Sequence, residues 1–270
     1  MINIIPFEKE LIEAKIIKRE KRFFVEFVDK EISLQDIQEG KYTSLFAHTN
    51  NTGSMMGLIQ KGRSILLSKS DNPNRKLAYT LEAICIDEKI KEIYQNKYEK
   101  ISPWLGVNTS VPNKFLQALF LKNAQYDYKL LPFAKDFTEI KMEAKNGESR
   151  LDACLWSKEH ERKLWIECKN VSMVEYDSAA FPDAVSERGQ KHLETLMRLK
   201  KEGNRCAMFY VVQRTDAHCF MPAEFIDTVY TEKLIQAYQE GVEIYAVVAH
   251  VQKNGIYWGE YLKLAPCYFK

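Results

Sequence analysis

Paired cysteines are missing from this sequence. Cys85, Cys154, Cys168, Cys206, Cys219 and Cys267 are scattered, with no Cys-x-x-Cys pair and no histidine at zinc spacing, which argues against a disulfide scaffold or a structural zinc site. Most lie in apolar runs, where reduced, buried thiols are expected. A glycine-rich nucleotide loop, a Ser or Cys nucleophile motif and an internal repeat are also lacking, which sets aside the activities built on them. No apolar run approaches the roughly 18 residues needed to span a bilayer. The first residues, MINIIPFEKELIEAKI, carry early charges of both signs instead of a basic start and a clean apolar run, so a soluble cytoplasmic protein with no membrane partner is expected. A strong charge of one sign is absent too: the net charge is +2, and any polyanion must be met by local clusters of Lys and Arg.

What is present is ordinary in bulk, with 46% hydrophobic and 28% charged residues in 270, enough for one large or two modest domains. The informative stretch runs from Lys141 to Asn170, KMEAKNGESRLDACLWSKEHERKLWIECKN. It reads as a short acidic strand, a Gly-containing turn and a two-stranded hairpin, with Asp152 on one hairpin strand and Glu167 and Lys169 on the other. Because side chains alternate along a strand, Trp165, Glu167 and Lys169 share a face opposite to Leu164, Ile166 and Cys168. A register that sets Asp152 beside Glu167 would bring two carboxylates to roughly 5 Å. Like charges that close repel, and a divalent cation would hold them. Glu143 could complete the acidic set, and Lys169 could stabilise charge on a phosphate or orient an attacking water. The tripeptide Glu-x-Lys alone is weak, since it recurs at Glu13, Glu39, Glu139, Glu143 and Glu161. The copy at Glu167 stands out because it ends the apolar run Leu164 to Ile166. Its alternative is an exposed salt bridge at a sheet edge.

This constellation resembles the PD-(D/E)XK phosphodiesterase motif. With FPDAVSERGQKH (Phe181 to His192), NTGSM (Asn51 to Met55), NPNRK (Asn72 to Lys76) and VNTSVPN (Val107 to Asn113), nearly the whole chain resembles the sugar fermentation stimulation protein family. The resemblance implies an N-terminal OB-like β-barrel, a PD-(D/E)XK nuclease-like α/β domain with a mixed sheet flanked by helices, and DNA binding. The boundary is placed near Ala83, giving domains 1–83 and 84–270. On this reading Asp152 and Glu167 bind Mg2+ or Mn2+ with the Cys168 backbone carbonyl as a third ligand, Glu143 assists, and Lys169 stabilises the transition state.

From Leu11 to Val28 the chain reads as one long or two shorter strands with a basic centre, burying Phe23, Val25 and Phe27 and presenting Phe24 beside Arg22. Cations meet phosphates and rings stack on bases, so Arg19, Lys21, Arg22 and Phe24 are candidate DNA contacts, against the alternative of a half-buried strand with solvated charges. Glu20 stands where the family usually has an aromatic. The turn at Asn51 to Ser54 could present backbone N–H groups to an anionic oxygen, with Gly53 at positive φ, or be a tight barrel connection; Asn50 stands where the family generally has proline. Arg75 and Lys76 follow a proline turn and could reach a phosphate.

In the second half, the segment 89–101 reads as a charged connection. Phe115, Leu116, Leu119 and Phe120 form a helical stripe, with Asn113 as its cap and no chemistry assigned. From Val185 to Gly203 a second helix is expected, with Leu193, Leu196 and Met197 buried. Its residues Arg188, Lys191 and His192 share an exposed face, and together with Gln190 of the same motif they are candidate DNA contacts; His192 could alternatively carry a proton. Cys206 to Arg214 and Val242 to Val251 read as buried strands around a third helix, an alternation that implies parallel pairing. GIYWGEYLKL reads as an edge strand that could pair across a two-fold axis in a homodimer.

Two functions compete: a metal-dependent nuclease, and a DNA-binding regulator of sugar (maltose) metabolism without turnover on the same scaffold. A sugar-processing activity follows from the family's name alone.

Overall fold

The computed structural model describes residues 1–53, 55, 57–87, 102–147, 149–158 and 160–270. The charged connection expected at 89–101 lies outside the described residues. The chain forms two compact units, one of Met1–Thr109 with Gln213–Thr215 and Ala249–Tyr257, the other of Ser110–Val212, Asp216–Val248 and Trp258–Lys270.

The first unit contains β1 (Asn3–Pro6), β2 (Ile12–Glu20), β3 (Phe24–Asp29), α1 (Leu34–Glu39), β4 (Leu45–His48), β5 (Ser64–Lys69), β6 (Tyr79–Cys85) and β7 (Trp104–Gly106). Strands β4, β3, β2, β5 and β6 are neighbours in that order, and a parallel β4–β6 pairing closes them into a five-stranded barrel. Closure follows from the alternation: Ala14, Ile16, Val25, Phe27, Ala47, Ile65, Leu67, Leu81 and Ile84 all point inward and are buried. The boundary expected at Ala83 falls inside β6, and β7 pairs with that strand, carrying the unit on to Thr109. The basic segment is two strands, not one. Lys21 and Arg22 form the hairpin tip at φ 47° and 61°, and the reversal leaves Phe23 exposed where burial was expected.

The second unit contains α2 (Val111–Lys122), β8 (Glu139–Asn146), β9 (Ser149–Ser157), β10 (His160–Val171), β11 (Met173–Glu175), β12 (Ser178–Phe181), α3 (Glu187–Lys201), β13 (Arg205–Val212), β14 (Cys219–Pro222) and α4 (Thr228–Gln239). They are followed by β15 (Glu243–Gln252) and β16 (Gly255–Tyr261), of which residues Ala249–Tyr257 belong to the first unit, and by β17 (Lys263–Leu264). Its main sheet runs β15-β13-β10-β9-β8. Pairing is antiparallel within β8–β9–β10 and parallel for β10–β13–β15, the mixed sheet expected. Helix α3 buries Leu193, Leu196 and Met197 in a core with Trp165, Met208, Tyr210 and Tyr230. Phe115, Leu116 and Leu119 of α2 are buried, and that helix packs on β8 and β10.

Strand β16 is not an edge at its start. Gly255, Ile256 and Tyr257 pair with Pro6, Ile5 and Asn3 of β1, so the free edge on which a two-fold pairing was expected is taken there by the chain's own N-terminal strand. Among the described residues, no helix is long and apolar enough to cross a membrane.

His250 of the first unit is 8% exposed, and its Nδ1 has no hydrogen-bond partner. Burial, with a smaller contribution from the N-terminal charge, holds its imidazole down to about 4. Below a pH of about 6.5 the unfolded chain takes up a proton that the folded chain refuses. Stability is therefore lost as pH falls toward 4. Urea unfolding of His250→Leu at pH 7 and pH 4.5 is expected to show an acid loss smaller than wild type by about 2–3 kcal/mol; equal losses would contradict the assignment.

Candidate functional site

The site is built on the pleat of β9 and β10. Leu164↔Leu155, Trp165↔Cys154 and Ile166↔Ala153 are opposed, so one step further Asp152 comes level with Glu167, the register on which the acidic pair depends. Asp152 Oδ2 accepts the Cys168 N–H at 2.8 Å, and Oδ1 accepts from Asn113 Nδ2 at 2.8 Å. Asn113 is therefore not the cap of α2. It lies inside the helix, which starts at Val111 after Ser110, and it orients a site carboxylate. No chemistry is expected of this helix from its apolar stripe, although Asn113 closes the VNTSVPN motif.

Glu167 is 3% exposed. Its Oε1 accepts from Lys169 Nζ at 2.6 Å and faces Nδ1 of His192. Lys169 Nζ also lies 3.2 Å from that ring nitrogen, and Arg188 Nε donates to His192 Nε2 at 3.5 Å. The other oxygen, Oε2, is buried without a hydrogen-bond partner. The two carboxyls are driven apart. Burial raises Asp152, the Glu167 charge adds to it, and the Cys168 N–H and Asn113 offset this only in part. Burial also pushes Glu167 up, but His192 and Lys169 outweigh it and hold that carboxyl below the usual range. Divergent carboxyls of this kind are found where one group stays ionised and its neighbour protonates easily.

Among the described residues, no three His, Cys, Asp or Glu side chains gather closely enough to hold a metal on their own. The Cys168 side chain lies on the face of β10 opposite to Glu167 and Lys169, and burial and both carboxylates push its thiol well above its usual value. What does fit a hard cation is an all-oxygen set: two adjacent carboxylates, one with an unmatched buried oxygen, and a backbone carbonyl. Glu143 is not drawn in. It has φ 54°, and its Oε2 pairs with Arg150 at 2.9 Å in an exposed contact.

The candidate nucleic-acid contacts divide. Helix α3 begins at Glu187 with Ser186 as its cap, leaving Arg188 and Lys191 exposed while His192 turns into the acidic site. Gln190 does not face outward: its amide donates to both oxygens of Asp227, which caps α4. In the barrel unit, Arg75 donates to Thr80 Oγ1 at 2.8 Å and Lys76 is exposed. Asn51 is buried, and its Oδ1 takes the Gly53 N–H, the donor expected to serve an anion. Arg19 is a structural fork as well. It donates to the carbonyls of Arg22 (2.8 and 2.9 Å), Asn51 (2.6 Å) and Gly53 (2.9 Å), tying the hairpin tip to the NTGSM loop. Lysine has no planar fork to span three carbonyls. Arg19→Lys is expected to lower urea stability by about 1–3 kcal/mol; an unchanged midpoint would restore Arg19 as a surface cation.

Residues 17–90 match the SfsA N-terminal OB domain, and residues 110–255 match the sugar fermentation stimulation protein RE domain. The sugar fermentation stimulation protein homolog of Maridesulfovibrio salexigens is 43% identical, covering 98% of each chain. That of Syntrophobacter fumaroxidans is 42% identical, over 97% of this chain and 87% of the relative. The fold matches the structure of Pyrococcus furiosus SfsA in complex with Ca2+, at TM-score 0.78 and 22% identity over 98% of this chain and 100% of that one. The chain belongs to the sugar fermentation stimulation protein family.

Proposed function

We propose that this protein is a divalent-metal-dependent nuclease that hydrolyses phosphodiester bonds in DNA at the β9–β10 site. The observation that carries the reading is the buried, unpartnered Oε2 of Glu167, beside Asp152 and two residues from Lys169. An uncompensated polar atom in a closed site is costly unless something occupies it. Asp152, Glu167 and the Cys168 carbonyl would hold Mg2+ or Mn2+. That the relative from Pyrococcus furiosus is a complex with Ca2+, a cation that likewise takes oxygen ligands, supports an ion of this class. Such an ion would neutralise charge on the phosphate and lower the pKa of a bound water. Asn113 fixes the orientation of Asp152. Lys169 sets a positive charge where charge develops on the phosphate in the transition state. Arg188 and Lys191, exposed on the first turns of α3, bind neighbouring phosphates. Glu143 has no part in the inner set, being engaged by Arg150.

A second reading rests on a different observation. Lys169 and His192 already meet the Glu167 charge at Oε1, so the acidic site is stabilised without any metal, as a DNA-binding regulator without turnover would need. Strand cleavage with Mg2+, Mn2+ or EDTA, in wild type and in Glu167→Gln, separates the two. Cutting that needs metal and disappears in the variant supports the nuclease; cutting that persists in the variant removes it from this site.

A further inference from the structure

The outer face of the barrel carries a group of exposed aromatic side chains that the hydrolytic site does not use. Phe24 pairs with His48 and Glu26 with Phe46 across β3 and β4. Opposed residues share a face, and Val25 and Ala47 between them are fully buried in the barrel, so Phe24, Phe46 and His48 project outward together. Phe24 and Phe46 are 38% and 41% exposed. At the hairpin tip Phe23, 44% exposed, lies parallel to the His48 ring, with centroids 6.4 Å apart and planes 3° apart. Large exposed rings on one small surface are unusual for a face that meets only water.

The tip beside these rings is basic and strained. Lys21 and Arg22 both hold left-handed backbone angles, in the three-residue connection between the paired Glu20 and Phe24, a conformation in which Gly or Asn would be at ease. The conformation is kept because Arg19 clamps the Arg22 carbonyl through two donors and anchors itself on Asn51 and Gly53. The effect is to project two exposed cations beside the rings. Two carboxylates share the face, Glu20 and Glu26, and Lys18 spans both at 2.6 and 3.5 Å, which leaves Lys21 and Arg22 as the local excess.

We infer that this face binds a single-stranded nucleic acid, with bases stacked on Phe24, Phe46 and the Phe23–His48 pair and phosphates held by Lys21 and Arg22. The inference rests on the nucleic-acid reading above and narrows it. A ring can stack only on a base whose face is open, and a duplex keeps its base faces inside the helix, whereas cations on phosphates would serve either form. Arg19 is a positioning residue here, not a contact.

Fluorescence anisotropy of the full chain in EDTA tests this, using a labelled oligothymidylate, an abasic strand with the same number of phosphates, and a duplex of equal length. Wild type is expected to prefer the thymidylate to the abasic strand by about tenfold or more, and Phe24→Ala with Phe46→Ala to erase that preference. Lys21→Ala is expected to weaken both strands alike and flatten the salt dependence. Both phenylalanines are exposed, so melting temperatures should stay unchanged, and Phe24→Leu, which keeps an apolar side chain but no ring, should behave as Phe24→Ala. Equal affinity for the abasic strand, or a preference for duplex that the phenylalanine variants leave intact, would overturn the inference and spare the nuclease. Base-dependent binding without cutting in any metal would support the inference and remove the nuclease. No binding to any of the three would overturn both.

Discussion

Glu167→Gln is expected to lower metal-dependent strand cleavage by at least about 10²–10³-fold, and Lys169→Gln by a similar factor, with strand binding in EDTA unchanged in both. The substitutions act on different halves of the same site. Gln keeps the shape of Glu167 but removes the charge at an oxygen that now has no partner. The loss should therefore appear as weaker metal binding together with slower turnover. Lys169 is not expected to touch the cation; its ammonium lies 2.6 Å from Oε1 of Glu167, so its loss should reduce the rate at saturating metal. Measuring the rate against metal concentration separates the two effects. If Lys169→Gln only shifted the metal requirement and kept the maximal rate, the role given to the ammonium would be wrong.

Tyr230→Ala is expected to destabilise the second unit by about 3–5 kcal/mol, and Tyr230→Phe by about 1–3 kcal/mol. Tyr230 is fully buried, and its hydroxyl meets that of Tyr210 at 2.6 Å. Removing one hydroxyl leaves the other in an apolar core with no partner, which is costlier than losing the bond alone. The ring also packs edge-on against Phe181, with centroids 5.3 Å apart. These contacts support the site from behind. Tyr210 is opposed to Lys169 across β10 and β13, and a Cβ on Gly189 would come within 3.1 Å of the Tyr230 ring and 2.7 Å of Ser186 Oγ, so the first turn of α3, one turn before His192, is seated directly on Tyr230. Urea unfolding with parallel cleavage assays checks the prediction. The Phe variant should keep its fold and lose part of its activity; an Ala variant as stable as the Phe variant would show that the pair does not carry this packing.

The readability of the site in the sequence followed its locality. The acidic hairpin was legible because period-two alternation puts Glu167 and Lys169 on one face; the register that levels Asp152 with Glu167 is reached only past a shift between His160 and Leu164. The stripe Leu193, Leu196 and Met197 identified α3 for the same reason, and the alternation of buried strands with helices gave the parallel pairing. What escaped depends on contacts far apart in the chain. Asn113 looked like a cap because its distance to Asp152 is set by the docking of α2, not by anything near position 113. His192 looked solvent-facing because the placement of α3 depends on Ser186, Gln190 and Asp227, which bond to one another. Glu143 pairs with Arg150 instead of Asp152 because a left-handed backbone angle interrupts the alternation that would have aimed it there. Arg19 and Asn51 carried the residue types of a phosphate site and are instead used within the barrel. The edge of β16 looked free because its partner, β1, lies at the other end of the chain.

The most direct measurement follows binding and cutting in the same reaction. Purified protein is mixed with labelled single-stranded and duplex DNA in Mg2+, Mn2+ or EDTA, and bound and cleaved fractions are read together for wild type, Glu167→Gln and Lys169→Gln. The account predicts cutting by wild type in metal alone, binding in every lane that contains the bound form of DNA, and variants that bind without cutting. Wild type that binds but never cuts in either metal, or cutting that survives both substitutions, would contradict it.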